Sequence, residues 1–247
     1  GGDVAPAPGG DDPVARTDAP SPATGPGGHA DRDDGDGDDP DGLEVASTRG
    51  SIDPSIVDQR VGEHTAAIEA CYASQVGRRR WLGGGLELSW DVRGDGTVAA
   101  VRIASSDLGA WPIEKCVLGV ARAISFGRPH GDKPARVTAP ISFSAGSGAV
   151  AWGPAQSDSA VRPRLARLSS CAPAPSNLTI TLYLGTRGKV QSVGFASPAG
   201  FADTWADCAE KAIMGWSLTD PRGKVAKLSV TLNPSAGSDD DDETSSN

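Results

Sequence analysis

Apolar residues along the chain follow first a helical and then an alternating pattern, and the sequence goes through this succession twice. In the first pass, Asp53 and Pro54 provide an N-cap and a proline suited to the first helical position, so a helix is predicted from there. Two alternating stretches joined at Asp95-Gly96 predict a strand hairpin, and a second helix and a last strand follow. The apolar positions of these five elements are Val57, Val61, Ile68, Cys71 and Tyr72; Leu86, Leu88, Trp90 and Val92; Val98, Val101 and Ile103; Ile113, Cys116, Val117, Val120, Ala121 and Ile124; and Val137, Ala139, Ile141 and Phe143.

The second pass has the same order of predicted elements, which is helix, strand, strand, helix, strand. Its apolar positions are Val161, Leu165, Leu168 and Cys171; Leu178, Ile180, Leu182 and Leu184; Val190, Val193 and Phe195; Trp205, Cys208, Ala209, Ala212, Ile213 and Trp216; and Leu228, Val230 and Leu232. We therefore expect two copies of one small α+β domain.

Equal spacings support a tandem duplication. The turn glycine precedes the cysteine of the second helix by 20 residues in both copies, from Gly96 to Cys116 and from Gly188 to Cys208. A proline follows that cysteine after a further 13 residues in both. The return strands show the same irregular apolar spacing, which predicts a β-bulge at the same place in each copy.

The predicted organisation has five parts. They are a disordered acidic tether rich in Gly, Pro and Asp (1–50), a first α+β domain (51–146), a linker (147–157), a second α+β domain (158–235) and a disordered acidic tail (236–247).

Acidic residues are concentrated at the two ends of the chain. Residues 1–45 carry a net charge of −10 and Asp239–Glu243 carry −5, whereas residues 46–236 carry +6. The ends are too poor in large apolar side chains to offset the entropy of folding, which indicates disorder. The densest basic spot, Arg78–Arg80, has neither interleaved aromatic residues nor a recognition motif, so nucleic-acid binding is not predicted.

The motifs of both copies resemble the AgmX/PglI-type C-terminal domain, which belongs among the TonB C-terminal-like domains of envelope and gliding-motility proteins. The resemblance covers about 55–145 and, more loosely, 160–233. The matching positions are Cys71-Tyr72, Gly96-Thr97-Val98, Cys116 and Phe126 through Pro129 in the first copy, and Cys171, Gly188-Lys189-Val190, Cys208 and Trp216 through Pro221 in the second. The resemblance implies a TonB-C-like fold and an envelope protein.

The four cysteines fit neither the Cys-x-x-Cys redox pattern nor zinc-finger spacing. In each copy one cysteine ends the first helix and one opens the second, and packing both helices on one sheet face would bring the two together. Of three connectivities we predict Cys71–Cys116 and Cys171–Cys208, with buried free thiols as the alternative. Disulfides would indicate an oxidising compartment.

No arrangement of residues predicts catalysis, a metal or a cofactor, so we expect a protein that is not an enzyme. The three histidines lack a companion ligand cluster. Glu114, Asp203 and Asp207 could pair as carboxylates for acid–base work, but their places near helix starts fit the helix dipole equally well. The tryptophans Trp90, Trp111, Trp205 and Trp216 are expected in the core or at helix entries.

The expected function is binding of a peptide or protein of the cell envelope by tandem TonB-C-like modules. A last strand at a sheet edge can accept an extended peptide by β-augmentation. The candidate contact residues are Arg136, Val137, Thr138, Ile141 and Phe143 of the first copy and Leu228, Val230 and Leu232 of the second. The two edges could instead pair with each other.

Peptidoglycan or another glycan as ligand, a structural role in a surface complex and, as the least favoured, an enzyme are the alternatives. No apolar run is long enough to span a bilayer. Because the chain starts Gly1-Gly2, we expect a processed product, periplasmic or secreted, from which a signal peptide was removed or which follows a lipidated cysteine.

Overall fold

The computed structural model describes residues 49–77, 79–171 and 173–232, all of which belong to one compact unit. These residues form an α+β fold with five α-helices and two sheets, in agreement with the predicted class. The predicted tail, the predicted tether as far as residue 48, and Arg78 of the basic spot lie outside the described residues.

The first half builds a three-stranded antiparallel sheet with the order β2-β1-β3. Its elements are α1 (Pro54–Gly62), α2 (Thr65–Val76), β1 (Gly84–Val92), β2 (Val98–Ser106), α3 (Trp111–Ala121) and β3 (Ala135–Phe143). The Asp53 side chain caps α1 by accepting a hydrogen bond from Ser55 N at 2.8 Å. The first helix was predicted as one, but it ends at Gly62, a residue that costs about 1 kcal/mol relative to Ala inside a helix.

The second half builds a four-stranded sheet with the order β4-β7-β5-β6. Its elements are β4 (Val150–Ala151), α4 (Pro154–Val161), a 3₁₀ helix (Arg162–Cys171), β5 (Leu178–Leu184), β6 (Val190–Ala196), α5 (Asp203–Met214) and β7 (Ala226–Leu232). Pro163 has no N–H for an α-helical bond, and the chain tightens into the 3₁₀ form there.

The stretch predicted as a linker, 147–157, contains secondary structure of its own. Strand β4 pairs in parallel with the start of β7, and α4 already begins at Pro154. The prediction missed β4 because two residues are too few to show an alternating pattern.

The predicted β-bulge is confirmed in both halves. Asp91 faces Ala100 while Val92 faces Val98, so Ala99 is the extra residue. In the second half Tyr183 faces Ser192 while Leu184 faces Val190.

Each sheet carries helices on one face, and the four tryptophans named above are buried as predicted. The Trp90 indole Nε1 donates to the Ala121 carbonyl of α3 at 2.9 Å, which ties the first sheet to its helix. We call the opposite side of each sheet, which carries no helix, its open face.

The two halves share one core. The Trp111 ring of α3 lies 6.1 Å from the Phe195 ring and 5.7 Å from the Phe201 ring, centre to centre. The first half packs against part of the open face of the second sheet, over β5 and β6, where the Tyr183 hydroxyl donates to the Gly83 carbonyl at 2.7 Å. The halves therefore pack against each other over an extensive buried contact.

Candidate partner-binding site

Strand β3 is an edge strand of the first sheet. It pairs along its whole length with β1, from Ala135 opposite Val92 to Phe143 opposite Gly84. Within the described parts of the chain, no strand pairs with its other side. Unsatisfied main-chain groups along such an edge can form a ladder with another extended chain.

The predicted contact residues of β3 divide into buried and exposed ones. Val137 and Phe143 are only 7 % and 9 % exposed, and Ile141 is half-buried, so their side chains do not face outward as contact residues would. Arg136 and Thr138 are exposed, together with Pro140. A partner would thus meet the main chain of β3 and the side chains of these exposed positions.

Pro140 indicates which main-chain groups of β3 face outward. A proline within a sheet is tolerated on an edge strand with its N–H side toward solvent. Since main-chain groups of successive residues point to opposite sides of a strand, Arg136 and Thr138 then also direct their N–H and C=O groups away from β1. Pro140 itself offers only a carbonyl there.

The corresponding edge in the second half is partly covered. Val150 and Ala151 of β4 pair with Ala226 and Lys227 at the start of β7. The predicted contact residues Leu228 and Val230 are buried, and Leu232 is half-buried. The expectation that β7 forms an open edge is therefore wrong for its first two residues, because the chain's own β4 occupies that position.

The alternative that the two edges pair with each other within one chain is not found among the described strands. The halves meet instead near the opposite edges, where Ser197 N donates to the Ile103 carbonyl of β2 at 2.9 Å. Strands β3 and β7 remain in separate sheets.

A basic depression lies across the sheet at the start of β3. We call it the basic groove; its volume is about 230 Å³ and its charged lining residues are Arg49, Asp91, Arg93 and Arg136. Arg136 Nε donates to Asp91 at 2.8 Å, and Arg102 makes an ion pair with the same carboxylate. Burial, with a smaller contribution from nearby Arg136, lowers the pKa of Arg102. The sequence did not reveal this groove because its arginines come from separate segments.

The segment before α1 lines this groove. Gly50 N donates to the Pro134 carbonyl at 3.0 Å, and Ser51 pairs with His130 in an isolated bridge. This contact places Arg49 in the lining of the groove. Helix α1 also packs against β3.

Glu114, one of the carboxylates considered for acid–base work, is fully buried between the halves. Its carboxylate accepts hydrogen bonds from Ser106 Oγ and Phe195 N, each at 2.8 Å. Burial, only partly offset by these bonds, raises the pKa of Glu114 to about 7.

Asp203 and Asp207 form ion pairs across the halves. Asp203 accepts from Arg122 at 2.7 Å, and Asp207 accepts from Lys115 at 2.7 Å and from Trp111 Nε1 at 2.8 Å. The bonds from Lys115 and Trp111 lower the pKa of Asp207. These contacts give all three carboxylates a place in the interface between the halves.

The structure contains both predicted disulfides, Cys71–Cys116 and Cys171–Cys208, each with a Cα–Cα distance of 5.7 Å. Each joins the segment before the hairpin to the helix after it, as the packing of both on one sheet face requires. Two such bonds indicate folding in an oxidising compartment outside the cytoplasm.

Across 49–77, 79–171 and 173–232, no group of three or more His, Cys, Asp and Glu side chains is arranged to hold a metal ion. None of the helices in these ranges combines the length and apolarity needed to cross a membrane.

Comparison with known proteins gives no relative: no protein-family model, no curated protein and no solved structure matches this chain. The site is therefore defined by its own geometry, which is an edge strand with a basic groove at one end.

Proposed function

We propose that this chain is a non-catalytic protein of the cell envelope that binds an extended peptide segment of a partner protein along the edge of β3. In this proposal the two halves are a tandem duplication of a TonB-C-like module. The chain is periplasmic, secreted or held at the outer envelope by a lipid.

The observation that carries the proposal is the difference between the two equivalent edges. Strand β7 already has an extended segment, Val150–Ala151, paired with its first residues. Strand β3 has the same position in its own sheet and pairs with β1 alone among the described strands. The architecture thus accepts an added strand in the second half and leaves that place open in the first.

The experiment screens the full chain against an array of random peptides of about ten residues, a length that matches a typical strand. Binders are then measured with Thr138→Pro, which removes an N–H that faces away from β1. Thr138→Val is the matched control because it keeps both the N–H and the preference for strand. Circular dichroism and a melting curve check that each variant folds.

We expect Thr138→Pro to weaken binding by at least about tenfold, roughly the loss of one or two hydrogen bonds, and Thr138→Val to leave it unchanged. Ser229→Pro, at the equivalent position of β7, is expected to leave peptide affinity unchanged in any preparation that remains folded. Equal affinity of the folded Thr138 variants for every peptide would rule out binding along β3.

A glycan is the second candidate ligand, and a groove between the open faces of the two sheets favours it. This groove has a volume of about 480 Å³ and is lined by hydroxyl and carboxylate side chains, among them Glu87, Ser105, Asp107, Ser142 and Ser229. Such groups can hydrogen-bond sugar hydroxyls. Sedimentation with purified peptidoglycan tests it: retention that Glu87→Gln abolishes supports a glycan, and recovery of all protein in the supernatant removes this candidate.

A further inference from the structure

We infer that the strand captured at β3 is acidic, with Asp or Glu side chains at alternate positions that pair with the arginines of the basic groove. This inference rests on the proposed function, since it assumes that a strand is added along β3. It goes further by naming the chemistry and the spacing of the ligand.

The basic groove carries an excess of positive charge. Among the described residues, its lining has the guanidinium groups of Arg93 and Arg136 against the carboxylate of Asp91, and Arg49 also lines it. Asp91 is itself paired with both Arg136 and Arg102. The carboxylate is therefore shared, and the groove keeps an excess of positive charge.

Arg136 is exposed and has further hydrogen-bond donors for a ligand. Its side chain is 55 % exposed, and its bond to Asp91 uses Nε alone, at 2.8 Å. A guanidinium group has four further N–H donors on its two Nη nitrogens, and their planar arrangement suits a carboxylate. Arg136 can thus hold Asp91 and still turn donors toward a ligand.

The geometry of strands sets the spacing of the acids. Arg136 lies on the open face of the first sheet, opposite Asp91 in the ladder with β1. In a strand added beside β3, every second side chain would lie on that same face. Acids at positions i and i+2 would therefore both face the groove, whereas acids at i and i+1 would point to opposite faces.

A peptide fits this surface better than a nucleic acid. Among the residues that the structure describes, no aromatic side chain lines the basic groove, so bases would lack a stacking platform there. The main-chain edge of β3 next to the groove is a partner for another peptide backbone, which a nucleic acid does not have. Arginine side chains beside a sheet edge thus favour an acidic peptide.

The experiment uses the full chain and three labelled peptides of about ten residues with a common Thr/Val background, titrated at low salt because exposed charge pairs are screened above about 0.1 M. The first peptide carries two Asp at i and i+2, the second carries two Lys at the same places, and the third carries the two Asp side by side. We expect the first to bind at least about tenfold more tightly than the second and several times more tightly than the third.

Charge reversal provides the matched variants. Arg93→Glu lies in the groove but outside β3, and it is expected to remove the preference for the acidic peptide. Arg167→Glu changes the charge of the chain equally from the 3₁₀ helix of the second half and is expected to leave that preference unchanged. A loss of preference in both variants would reduce the effect to net charge and overturn the inference.

The remaining outcomes separate the inference from the proposed function. Equal affinity for the Asp and Lys peptides, with binding still sensitive to Thr138→Pro, would overturn the acidic ligand and leave strand capture standing. Tighter binding of a single-stranded oligonucleotide than of the alternating Asp peptide would overturn the inference in favour of a nucleic acid. Replacing the Asp residues of 31–41 by Asn is expected to leave the affinity unchanged, and a tenfold gain would assign the groove to the chain's own acidic stretch and overturn the inference.

Discussion

Glu114 is a buried carboxylate where an apolar residue would usually pack. Its carboxylate accepts hydrogen bonds from Ser106 Oγ and Phe195 N, and the main-chain N–H groups of Gly109 and Ala110 also favour its charged form. Gly109 and Ala110 lie in the loop before α3, and Phe195 lies in β6 of the other half. The residue therefore links the two halves by polar contacts inside a largely apolar interface.

The ionisation of Glu114 makes the free energy of unfolding depend on pH. The folded state holds the Glu114 proton up to a pKa of about 7, compared with 4.5 for the free side chain. Because the folded pKa is raised, this carboxyl destabilises the fold progressively as pH rises from about 4.5 to about 7 and by a constant amount above that. The full effect is about 3 kcal/mol.

We expect the free energy of unfolding in urea to fall between pH 5 and pH 8 in the natural chain and to change much less in Glu114→Gln. Glu210, whose pKa burial also raises, contributes with the same sign in both proteins, so the difference between them isolates Glu114. Identical pH profiles for the two proteins would contradict this account of Glu114.

The role of Glu114 could not be predicted from the sequence. Its position in the first turn of a helix suggested either acid–base work or an interaction with the helix dipole. Neither interpretation involved the interface between the halves. What decides its environment is the packing of β6 against α3, a contact between residues 81 positions apart in the chain. The local pattern of residues in the sequence does not indicate such a contact.

At the scale of elements, the two disulfides connect the helices to each other over the sheets. They close loops with sequence separations of 45 and 37 residues. The loop-closure model gives each a stabilisation of about 4 kcal/mol, through restriction of the unfolded chain.

Cys71→Ser/Cys116→Ser is expected to lower the free energy of unfolding by about 2–4 kcal/mol, and Cys171→Ser/Cys208→Ser by a similar amount. Denaturation with and without a reductant should show no effect of the reductant on a chain lacking both pairs. An unaltered stability of the double variants would show that the bonds add nothing to the fold.

Elements with a strong periodicity of apolar residues were predicted correctly. Features that depend on one or two residues were not. The hairpin bulges follow from the phase of apolar residues, and both occur where predicted. The break at Gly62, the 3₁₀ helix around Pro163 and the short β4 depend on one or two residues each. In the site, strand β3 was predicted, but which of its side chains face outward required the pairing with β1.

At the scale of the whole molecule, the two halves approach each other closely at Gly194. A Cβ at this position would lie 2.6 Å from Glu114 Oε2 and 2.7 Å from Ala110 N. The Ala110 contact is with main chain, which cannot rotate away. A single methyl group here would thus push α3 away from β6.

Gly194→Ala is expected to destabilise the chain by about 1–3 kcal/mol through overpacking. The control is Gly119→Ala in α3, where a Cβ meets nothing within 4 Å and added helix preference should stabilise slightly. Thermal melts of the two variants compare them directly. A stability of Gly194→Ala equal to that of the natural chain would mean that the halves do not approach as closely as described.

Both halves contribute to the same core, so binding at β3 has a rigid support. Capture of a strand there is best observed at the main-chain amides themselves. Residue-resolved hydrogen exchange by NMR, with the alternating Asp peptide present and absent, follows the amides of Arg136 and Thr138. We expect the peptide to slow exchange at both by at least about tenfold, while Val137 and Ala139, bonded toward β1, exchange slowly already. If the chain is saturated with the peptide and the exchange rates of the Arg136 and Thr138 amides do not change, strand capture along β3 is contradicted.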